Sequence, residues 1–260
     1  MKDTIVINEV GPRDGLQSQD KHLSCDERTR LVEALLAALD PPADAELSVL
    51  VPNMKGYELA RAAGAGTIAV VVSATETMNQ KNIRMSLEQT LEVARAIIER
   101  GRNEGARVQA YLSVAWECPF EGAVPAATVI EQAGMLADWG ANEIVVADTI
   151  GAANPAAVRE VMDTLVAQHG AERLACHFHD TRAMGLANLF AAIESGVRRF
   201  DSSVGGLGGC PFAPGAKGNV ATEDVVMMCE QMGFETGVDM PALLAAVELA
   251  SELTGYAQGG

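Results

Sequence analysis

Basic residues are scarce in this sequence. The chain has 19 Lys and Arg against 35 Asp and Glu, which gives a formal net charge of −16 at pH 7. A protein that binds nucleic acid neutralises phosphates with a basic surface. We therefore expect no nucleic-acid partner, although a local cationic patch could still bind a small anionic substrate.

Cysteines and long apolar runs are scarce as well. The five cysteines are an odd number with no CxxC pair, which argues against a disulfide framework and favours a reduced compartment. No apolar run reaches the length of a membrane span, and no charged-then-apolar leader opens the chain. We therefore expect a cytoplasmic enzyme with no membrane partner.

The sequence is rich in short apolar strands that alternate with amphipathic helices. Hydrophobic residues make up 48% of its 260 residues, enough for a buried core. The predicted strands are Thr4–Glu9, Leu47–Val51, Thr67–Val72, Arg107–Ser113, Glu143–Ala147, Leu174–Phe178 and Arg199–Ser203. The clearest predicted helices are Ser86–Arg102, Pro125–Trp139, Pro155–Gln168 and Arg182–Ser195, and further helical patterns cover Asp26–Leu39, Val220–Met232 and Pro241–Leu253. Such alternation predicts a parallel sheet with right-handed crossovers.

The number of strands bears directly on the fold. Size and alternation favour an α/β TIM (β/α)8-type barrel in a single catalytic domain over residues 1–260, with a doubly wound open sheet as the alternative. Only seven strands are found, because Asp26–Leu39 leads through residues 40–44 directly to the next strand. A missing strand leaves two unpaired edges. Three explanations stay open: the second βα unit is absent, an atypical strand is unrecognised, or the sheet is open.

A histidine pair ends the sixth predicted strand. His177 and His179 are two residues apart, so both side chains point to the same face and could bind one metal ion. Two histidines satisfied by polar neighbours are the simpler explanation of such a short motif. Asp14 after the first strand and Asn219 after a glycine-rich segment strengthen the metal hypothesis. This donor set favours Mg²⁺ or Mn²⁺ over zinc, since no thiolate or third histidine is evident.

Arg13 and Asp148 are further candidates at strand ends. Arg13 lies in GPRDGLQ (Gly11–Gln17), which is either a simple turn or the position of an arginine that neutralises a developing oxyanion. Asp148 follows the fifth strand. It is either a carboxylate that supports the site, an acid or base, or the N-cap of the next helix.

The glycine-rich segment Asp201–Gly218 contains Cys210 and joins a strand to a helix. Glycines at this density exclude a helix or a central strand, and such a loop is typical of a lid over a site. Cys210 is a candidate acid or nucleophile, although no neighbour in the sequence is obviously placed to activate its thiol. The alternative is a mobile connection with an incidental cysteine.

Seven segments together resemble the 3-hydroxy-3-methylglutaryl-CoA lyase family of metal-dependent TIM-barrel enzymes. They occur in the family's order over most of the chain, and the loop with Cys210 is the most specific, because related synthases such as isopropylmalate synthase differ there. The segments are EVGPRDGLQ (Glu9–Gln17), VPNMKGYE (Val51–Glu58), KNI (Lys81–Ile83), ECPFEG (Glu117–Gly122), ADTIG (Ala147–Gly151), HFHDTRAMGLAN (His177–Asn188) and the glycine loop through GNVATED (Gly218–Asp224).

The resemblance implies a site and a reaction. The implied metal ligands, for Mg²⁺ or Mn²⁺, are Asp14, His177, His179 and Asn219. The implied catalytic set is Arg13, Asp14, Asp148, His177 and Cys210, in which Arg13 stabilises the enolate oxygen and Cys210 takes part in proton transfer. The reaction is retro-Claisen cleavage of 3-hydroxy-3-methylglutaryl-CoA, or a close 3-hydroxy-3-alkylglutaryl-CoA, to acetoacetate and acetyl-CoA. An acyl-CoA is then the partner, in leucine degradation, ketone-body metabolism or terpenoid catabolism.

The chain also departs from the family. The family's second strand, with a catalytic glutamate and a pocket-lining segment, has no counterpart before Leu47, where the strand count falls short. A C-terminal segment that covers the acyl-CoA would follow Gly260. Two rival hypotheses are a Claisen-type synthase that uses an α-keto acid, and a lyase-like scaffold that binds metal without turnover. Unpaired strand edges would favour a homodimer.

Overall fold

A parallel sheet forms the centre of the molecule. The computed structural model describes residues 3–17, 19, 21–38, 45–209 and 218–255. The strands are β1 (Val6–Glu9), β2 (Ser48–Leu50), β3 (Thr67–Ser73), β4 (Arg107–Ser113), β7 (Glu143–Asp148), β8 (Leu174–Phe178) and β9 (Arg199–Ser202), with a small hairpin of β5 (Glu117–Cys118) and β6 (Gly122–Ala123) outside the sheet. All seven predicted strands are confirmed, each within two residues at either end.

Helices follow the strands and begin where the capping signals predict. Ser86 and Gln89 form a capping box, and Pro155 occupies the first helical turn of its helix. The helices are α1 (Cys25–Ala37), α2 (Met54–Ala62), α3 (Glu76–Ile83), α4 (Leu87–Asn103), α5 (Ala126–Trp139), α6 (Pro155–His169), α7 (Gly185–Glu194), α8 (Thr222–Gln231) and α9 (Met240–Thr254). The short helices α2 and α3 are not among the helices predicted from the sequence. No helix in the described ranges is both long and apolar enough to cross a bilayer.

The strand order is that of a barrel with one open seam. Neighbours in the sheet run β1-β9-β8-β7-β4-β3-β2, so the last strand lies beside the first. Pairing is parallel throughout, with Val6 opposite Arg199 and Ser48 opposite Thr67. A doubly wound sheet reverses its strand order at a switch point, and this sheet does not, so the doubly wound alternative is wrong. In the described ranges β1 and β2 do not pair with each other, and we call the gap between them the seam. It lies where the sequence shows one βα unit fewer than a (β/α)8 barrel has.

Two hydrophobic clusters hold the helices in place. The larger one lies between the sheet and its surrounding helices. In the smaller one, Leu31 and Leu35 of α1 pack with Leu243 and Val247 of α9. Burial of a leucine side chain contributes about 1.5–3 kcal/mol, so Leu31 and Leu35 stabilise the packing of α1 against α9.

Candidate metal and active site

Four predicted ligands converge at the carboxyl ends of three strands. Asp14 lies in a single π-helical turn (Gly11–Gly15) after β1, while His177 ends β8 and His179 follows it. Ligand atoms of Asp14, His177 and His179 all lie within 4.8 Å of one another. A backbone bridge between His179 and Asn219 brings the amide to the same place, and Asn219 Nδ2 donates to Asp14 Oδ2 at 3.0 Å.

The unused atoms of these side chains fit a metal ion. Asn219 Nδ2 donates hydrogen bonds to Asp14 Oδ2 and to the Leu207 carbonyl, at 3.0 Å each. Its buried Oδ1 has no hydrogen-bond partner in the described ranges, and the same holds for Nδ1 of His179. A buried polar atom without a partner is costly, and a cation would satisfy it. The mixture of oxygen and imidazole donors fits a divalent ion with open positions.

His177 is oriented by a carboxylate behind it. Its Nδ1 donates to Asp201 Oδ2 at 2.9 Å, which leaves Nε2 for the site. Asn8 Nδ2 in turn donates to Asp201 Oδ1 at 2.8 Å and to the Tyr111 hydroxyl at 3.2 Å. Carboxylate–histidine pairs of this kind fix the tautomer and ring position of metal-binding histidines.

The charges in the site are strongly coupled. Burial works to lower the pKa of His177, but the hydrogen bond and charge of Asp201 outweigh it and raise the pKa. Burial and the neighbouring His177 lower the pKa of His179 to about 3. Burial works to raise the pKa of Asp14, but His177 and the Asn219 hydrogen bond hold it below its ordinary value. Asp14 is therefore favoured as the ionised carboxylate and His179 as the neutral imidazole, the forms in which these two residues bind a metal.

Arg13 lies at the mouth of the site. Its Nη1 donates to Asp14 Oδ1 at 2.6 Å, while about half of its side-chain surface stays exposed. The guanidinium therefore lies beside the candidate metal and retains donors that point elsewhere. Its proposed role with an oxyanion stays a prediction.

Asp148 is buried and organises the loop after β7. Its two carboxylate oxygens accept from the backbone N–H groups of Ala152 (2.9 Å) and Ala153 (3.0 Å). Burial raises the pKa of Asp148, and these two hydrogen bonds oppose the shift. The N-cap of the next helix is Asn154, so the capping interpretation of Asp148 is wrong. Its acid or base role stays a prediction.

The glycine-rich segment is described only at its two ends. Cys210 lies outside the described residues, so its catalytic role and the lid stay predictions. At the described end, Gly208 has a φ of +125°, and a Cβ there would lie 2.5 Å from Asn219 Nδ2. Glycine is therefore required at this position for the backbone to pass the candidate ligand.

Glu9 is a site residue that the sequence analysis missed. Its Oε1 accepts from the backbone N–H groups of Gly11 (2.7 Å) and Val204 (3.0 Å), and its Oε2 accepts from the Thr222 hydroxyl (2.6 Å). One carboxyl group thereby joins the turn that carries Asp14 to the segment after β9 and to α8. Burial raises its pKa to about 7 against the effect of these three donors. In the sequence, the signal that could have found it is a glutamate at the end of a predicted strand, two residues before Gly11-Pro12.

A cavity of about 840 Å³ connects this site to the interior of the barrel. Its wall on the β4, β7 and β9 side is polar and includes Gln109, Tyr111, Glu143, Arg199 and Asp201. Glu143 accepts from Gln109 and Arg107 at 2.8 Å each and also pairs with Arg199. Near α1, β2 and β3 the lining is mixed: aliphatic residues (Val32, Leu36, Leu50, Ala69 and Val71) lie there together with Ser48 and Thr67.

Fold and site together define a TIM-barrel-type α/β protein with a candidate divalent-metal centre at the carboxyl ends of its strands. A family model described as HMGL-like matches residues 37–250. The chain therefore belongs to the HMGL-like family, as its sequence motifs predict.

Relatives with assigned names agree with this membership. The hydroxymethylglutaryl-CoA lyase YngG of Bacillus subtilis is 39% identical over 96% of this chain and 93% of its own length. The 3-hydroxy-3-isohexenylglutaryl-CoA/hydroxymethylglutaryl-CoA lyase of Pseudomonas aeruginosa is 37% identical over the same shares. A solved HMG-CoA lyase from Acinetobacter baumannii, in complex with coenzyme A and 3-methylmalate, superposes with a TM-score of 0.93 at 33% identity, over 99% of this chain and 93% of that chain.

The alignments also bear on the seam. The alignment with the Bacillus relative runs over 279 positions, whereas this chain has only 260 residues. The relative therefore has residues with no counterpart here. The high TM-score shows that the remaining strands keep their barrel positions.

Proposed function

We propose that this chain is a divalent-metal-dependent carbon–carbon lyase that cleaves 3-hydroxy-3-methylglutaryl-CoA to acetoacetate and acetyl-CoA. The observation that carries the proposal is the convergence of Asp14, His177, His179 and Asn219, with unpartnered atoms on His179 and Asn219, in a member of the HMGL-like family. The proposed ion is Mg²⁺ or Mn²⁺, and the proposed partner is the acyl-CoA substrate.

The proposed mechanism assigns a task to each side chain. When bound, the ion supplies Lewis-acid polarisation of substrate oxygens. The tertiary hydroxyl proton passes to a base, for which Asp148 is our candidate, because burial raises its pKa and each carboxylate oxygen retains a lone pair. The carbon–carbon bond then breaks, and its electron pair forms the enolate of acetyl-CoA beside acetoacetate. Arg13 stabilises the enolate oxygen, and Cys210 donates a proton to the enolate carbon.

An acetoacetate assay tests this proposal. The purified 260-residue chain is incubated with 3-hydroxy-3-methylglutaryl-CoA, Mn²⁺ or Mg²⁺ and a thiol reductant. We expect acetoacetate and acetyl-CoA in equal amounts, above a control with metal alone. Release of free CoA with an α-keto acid as co-substrate would instead support the Claisen-type synthase.

The seam favours one alternative, a scaffold that binds metal without turnover. The family's catalytic glutamate belongs to a segment that the resemblance places between β1 and β2, and a lost proton-transfer group typically costs 10²- to 10⁴-fold in rate. Folded protein that binds Mn²⁺ and produces no acetoacetate would support the scaffold and contradict the lyase.

The location and the assembly are proposed on separate grounds. We propose a cytoplasmic enzyme, supported by four free thiols among the described residues, Cys25, Cys118, Cys176 and Cys229. We also propose a homodimer, because β1 and β2 each present an edge without a partner in the described sheet. Sedimentation equilibrium that gives the monomer mass at micromolar concentration would contradict the dimer.

A further inference from the structure

The turn that carries the first candidate ligand is held at its first residue by a side chain. The last three N–H groups of the turn Gly11–Gly15 donate to the carbonyl oxygen of Val10, at 2.8–3.2 Å. Pro12, the second residue, has no N–H group. The remaining donor, the N–H of Gly11, donates to Glu9 Oε1 at 2.7 Å. The start of the turn is therefore held by the Glu9 carboxylate and not by the turn itself.

The same oxygen holds the segment that follows β9. Glu9 Oε1 also accepts from the N–H of Val204, at 3.0 Å. The carbonyl of Val204 accepts from the N–H of Leu207 at 3.2 Å, and the carbonyl of Leu207 accepts from Asn219 Nδ2 at 3.0 Å. The last of these hydrogen bonds orients the side-chain amide of Asn219, so that Oδ1 is the atom left for an ion. A short chain of hydrogen bonds thus runs from Glu9 to a second candidate ligand.

The second carboxylate oxygen of Glu9 reaches α8. Glu9 Oε2 accepts from the Thr222 hydroxyl at 2.6 Å, and Thr222 lies three residues after Asn219. Because Thr222 thereby uses its only hydroxyl proton, Ser202 is the donor in the 2.8 Å hydrogen bond between the two hydroxyl groups. Glu9 therefore constrains Asn219 twice, through the Leu207 carbonyl and through the first residue of α8.

We propose that Glu9 is a positioning residue of the candidate metal centre, whose carboxylate sets the separation between Asp14 and Asn219 without binding the ion. The inference rests on the metal-dependent lyase proposed above. Three donors occupy the two oxygens of Glu9, so the residue acts through those donors and not as a ligand. Asp14 and Asn219 lie 205 residues apart in the chain, and a carboxylate that binds both of their segments fixes them relative to each other.

Removal of the carboxylate tests the proposal. Because groups that orient metal ligands strengthen metal binding, we expect Glu9→Ala to raise the Kd for Mn²⁺ about 10- to 100-fold. Electron paramagnetic resonance of free Mn²⁺ measures the Kd, at a pH above 7, where the Glu9 carboxyl is ionised. Val129→Ala is the control for a loss of stability, because Val129 is fully buried on α5 and does not line the cavity. It should leave the Kd within about twofold. An unchanged Kd in the Glu9 variant, or an equal rise in the Val129 variant, would overturn the proposal.

Thr222 allows a smaller change that stays informative if Glu9→Ala does not fold. Thr222→Val replaces the hydroxyl that donates to Glu9 by a methyl group, and should raise the Kd for Mn²⁺ at least about fivefold. Thr222→Ser retains the hydroxyl and should leave the Kd within about twofold of the wild-type value. Ser202→Ala is the matched control, because it removes the other hydroxyl bonded to Thr222 and keeps the donor to Glu9 in place. Equal affinities in the valine and serine variants, or an equal loss in the Ser202 variant, would contradict the proposal.

A double variant shows whether Glu9 and Thr222 act along one path. If Glu9 constrains Asn219 through Thr222, Thr222→Val should have little further effect in a protein that already carries Glu9→Ala. The Kd of the double variant should then lie within about twofold of that of Glu9→Ala, because coupled residues do not act additively. A Kd that rises by the product of the two single changes would show independent action and contradict the path through Thr222.

The Mn²⁺ titration requires no turnover, so this inference and the proposed lyase fail in different ways. The expected losses of affinity, in a protein that produces no acetoacetate, would support the role of Glu9 and contradict only the lyase. Acetoacetate production with an unchanged Kd in both the Glu9 and the Thr222 variants would leave the lyase and overturn the positioning role. A wild-type protein that binds no Mn²⁺ would overturn both.

Discussion

Glu9 is a buried carboxyl group that holds together three parts of the site, and its ionisation should be visible in stability. Its pKa rises from 4.5 to about 7 in the folded protein. The folded state therefore binds more protons than the unfolded state between pH 4.5 and 7. The free energy of unfolding should consequently fall as the pH rises through this window, by at most about 3 kcal/mol.

The variant Glu9→Gln tests this linkage. Glutamine retains a carbonyl acceptor for Gly11 and Val204 but does not ionise, so in this variant the free energy of unfolding should no longer fall between pH 4.5 and 7. Urea unfolding at several pH values measures the slope, and Glu33→Gln, at an exposed position on α1, is the control. Identical slopes in the wild-type protein and the Glu9 variant would show that Glu9 does not titrate there.

If the ligand assignment is correct, a variant that removes a ligand should weaken metal binding more than a variant that only disturbs the orientation of a ligand. His179→Ala removes a ligand and should abolish Mn²⁺ binding at concentrations that saturate the wild-type protein. Asp201→Asn retains the ring of His177 but weakens its orientation, and should raise the Kd about 10- to 100-fold. Electron paramagnetic resonance of free Mn²⁺ measures both. An unaltered titration of the His179 variant would remove that residue from the ligand set.

Cys210 allows metal binding to be separated from catalysis. Cys210→Ser should lower turnover about 10²- to 10⁴-fold, as expected for a lost proton donor, while the Kd for Mn²⁺ stays within about twofold. Acetoacetate production and Mn²⁺ titration on the same preparation give both quantities. Turnover close to that of the wild-type protein would exclude the proposed role.

The segment after β9 positions Asn219 through its backbone. A Cβ at position 208 would meet the Asn219 amide nitrogen at 2.5 Å, so Gly208→Ala should displace Asn219 and weaken Mn²⁺ binding at least about tenfold. Gly64→Ala is a matched control, since Gly64 also has a positive φ, +89°, but has open space around it. It should cost about 1 kcal/mol of stability and leave metal affinity intact. Equal metal affinity in both variants would contradict the close approach at Gly208.

In the molecule as a whole, the metal site joins strands from opposite ends of the chain. Asp14 follows β1, and Asn219 lies 205 residues later, so an ion bound to both should stabilise the folded state. At a free Mn²⁺ concentration of 100 times the Kd, the free energy of unfolding should rise by about 2.7 kcal/mol. Chemical denaturation with Mn²⁺ or with chelator measures the difference, and His179→Ala should show none. No change in the wild-type protein would contradict a site formed only on folding.

Local patterns in the sequence were sufficient for the strands and for most helix starts, while the ligand set stays a prediction. Alternation places the strand ends, Ser86 and Pro155 mark helix starts, and parallel strands bring Asp14, His177 and His179 to one edge because their carboxyl ends coincide. The single catalytic domain over residues 1–260 stays a prediction. Short helices such as α2 were not singled out, because nine residues give only a brief periodic signal.

Other features depend on contacts between distant parts of the chain. Glu9 meets Val204 and Thr222, and Asp201 meets His177 and Asn8, across sequence separations that no local pattern encodes. The sequence shows seven strands where a (β/α)8 barrel has eight, but it leaves open what happens at the gap. That outcome follows from packing: the strands keep their barrel order, Leu31 and Leu35 pack α1 against α9, and residues of α1 line the cavity at the site.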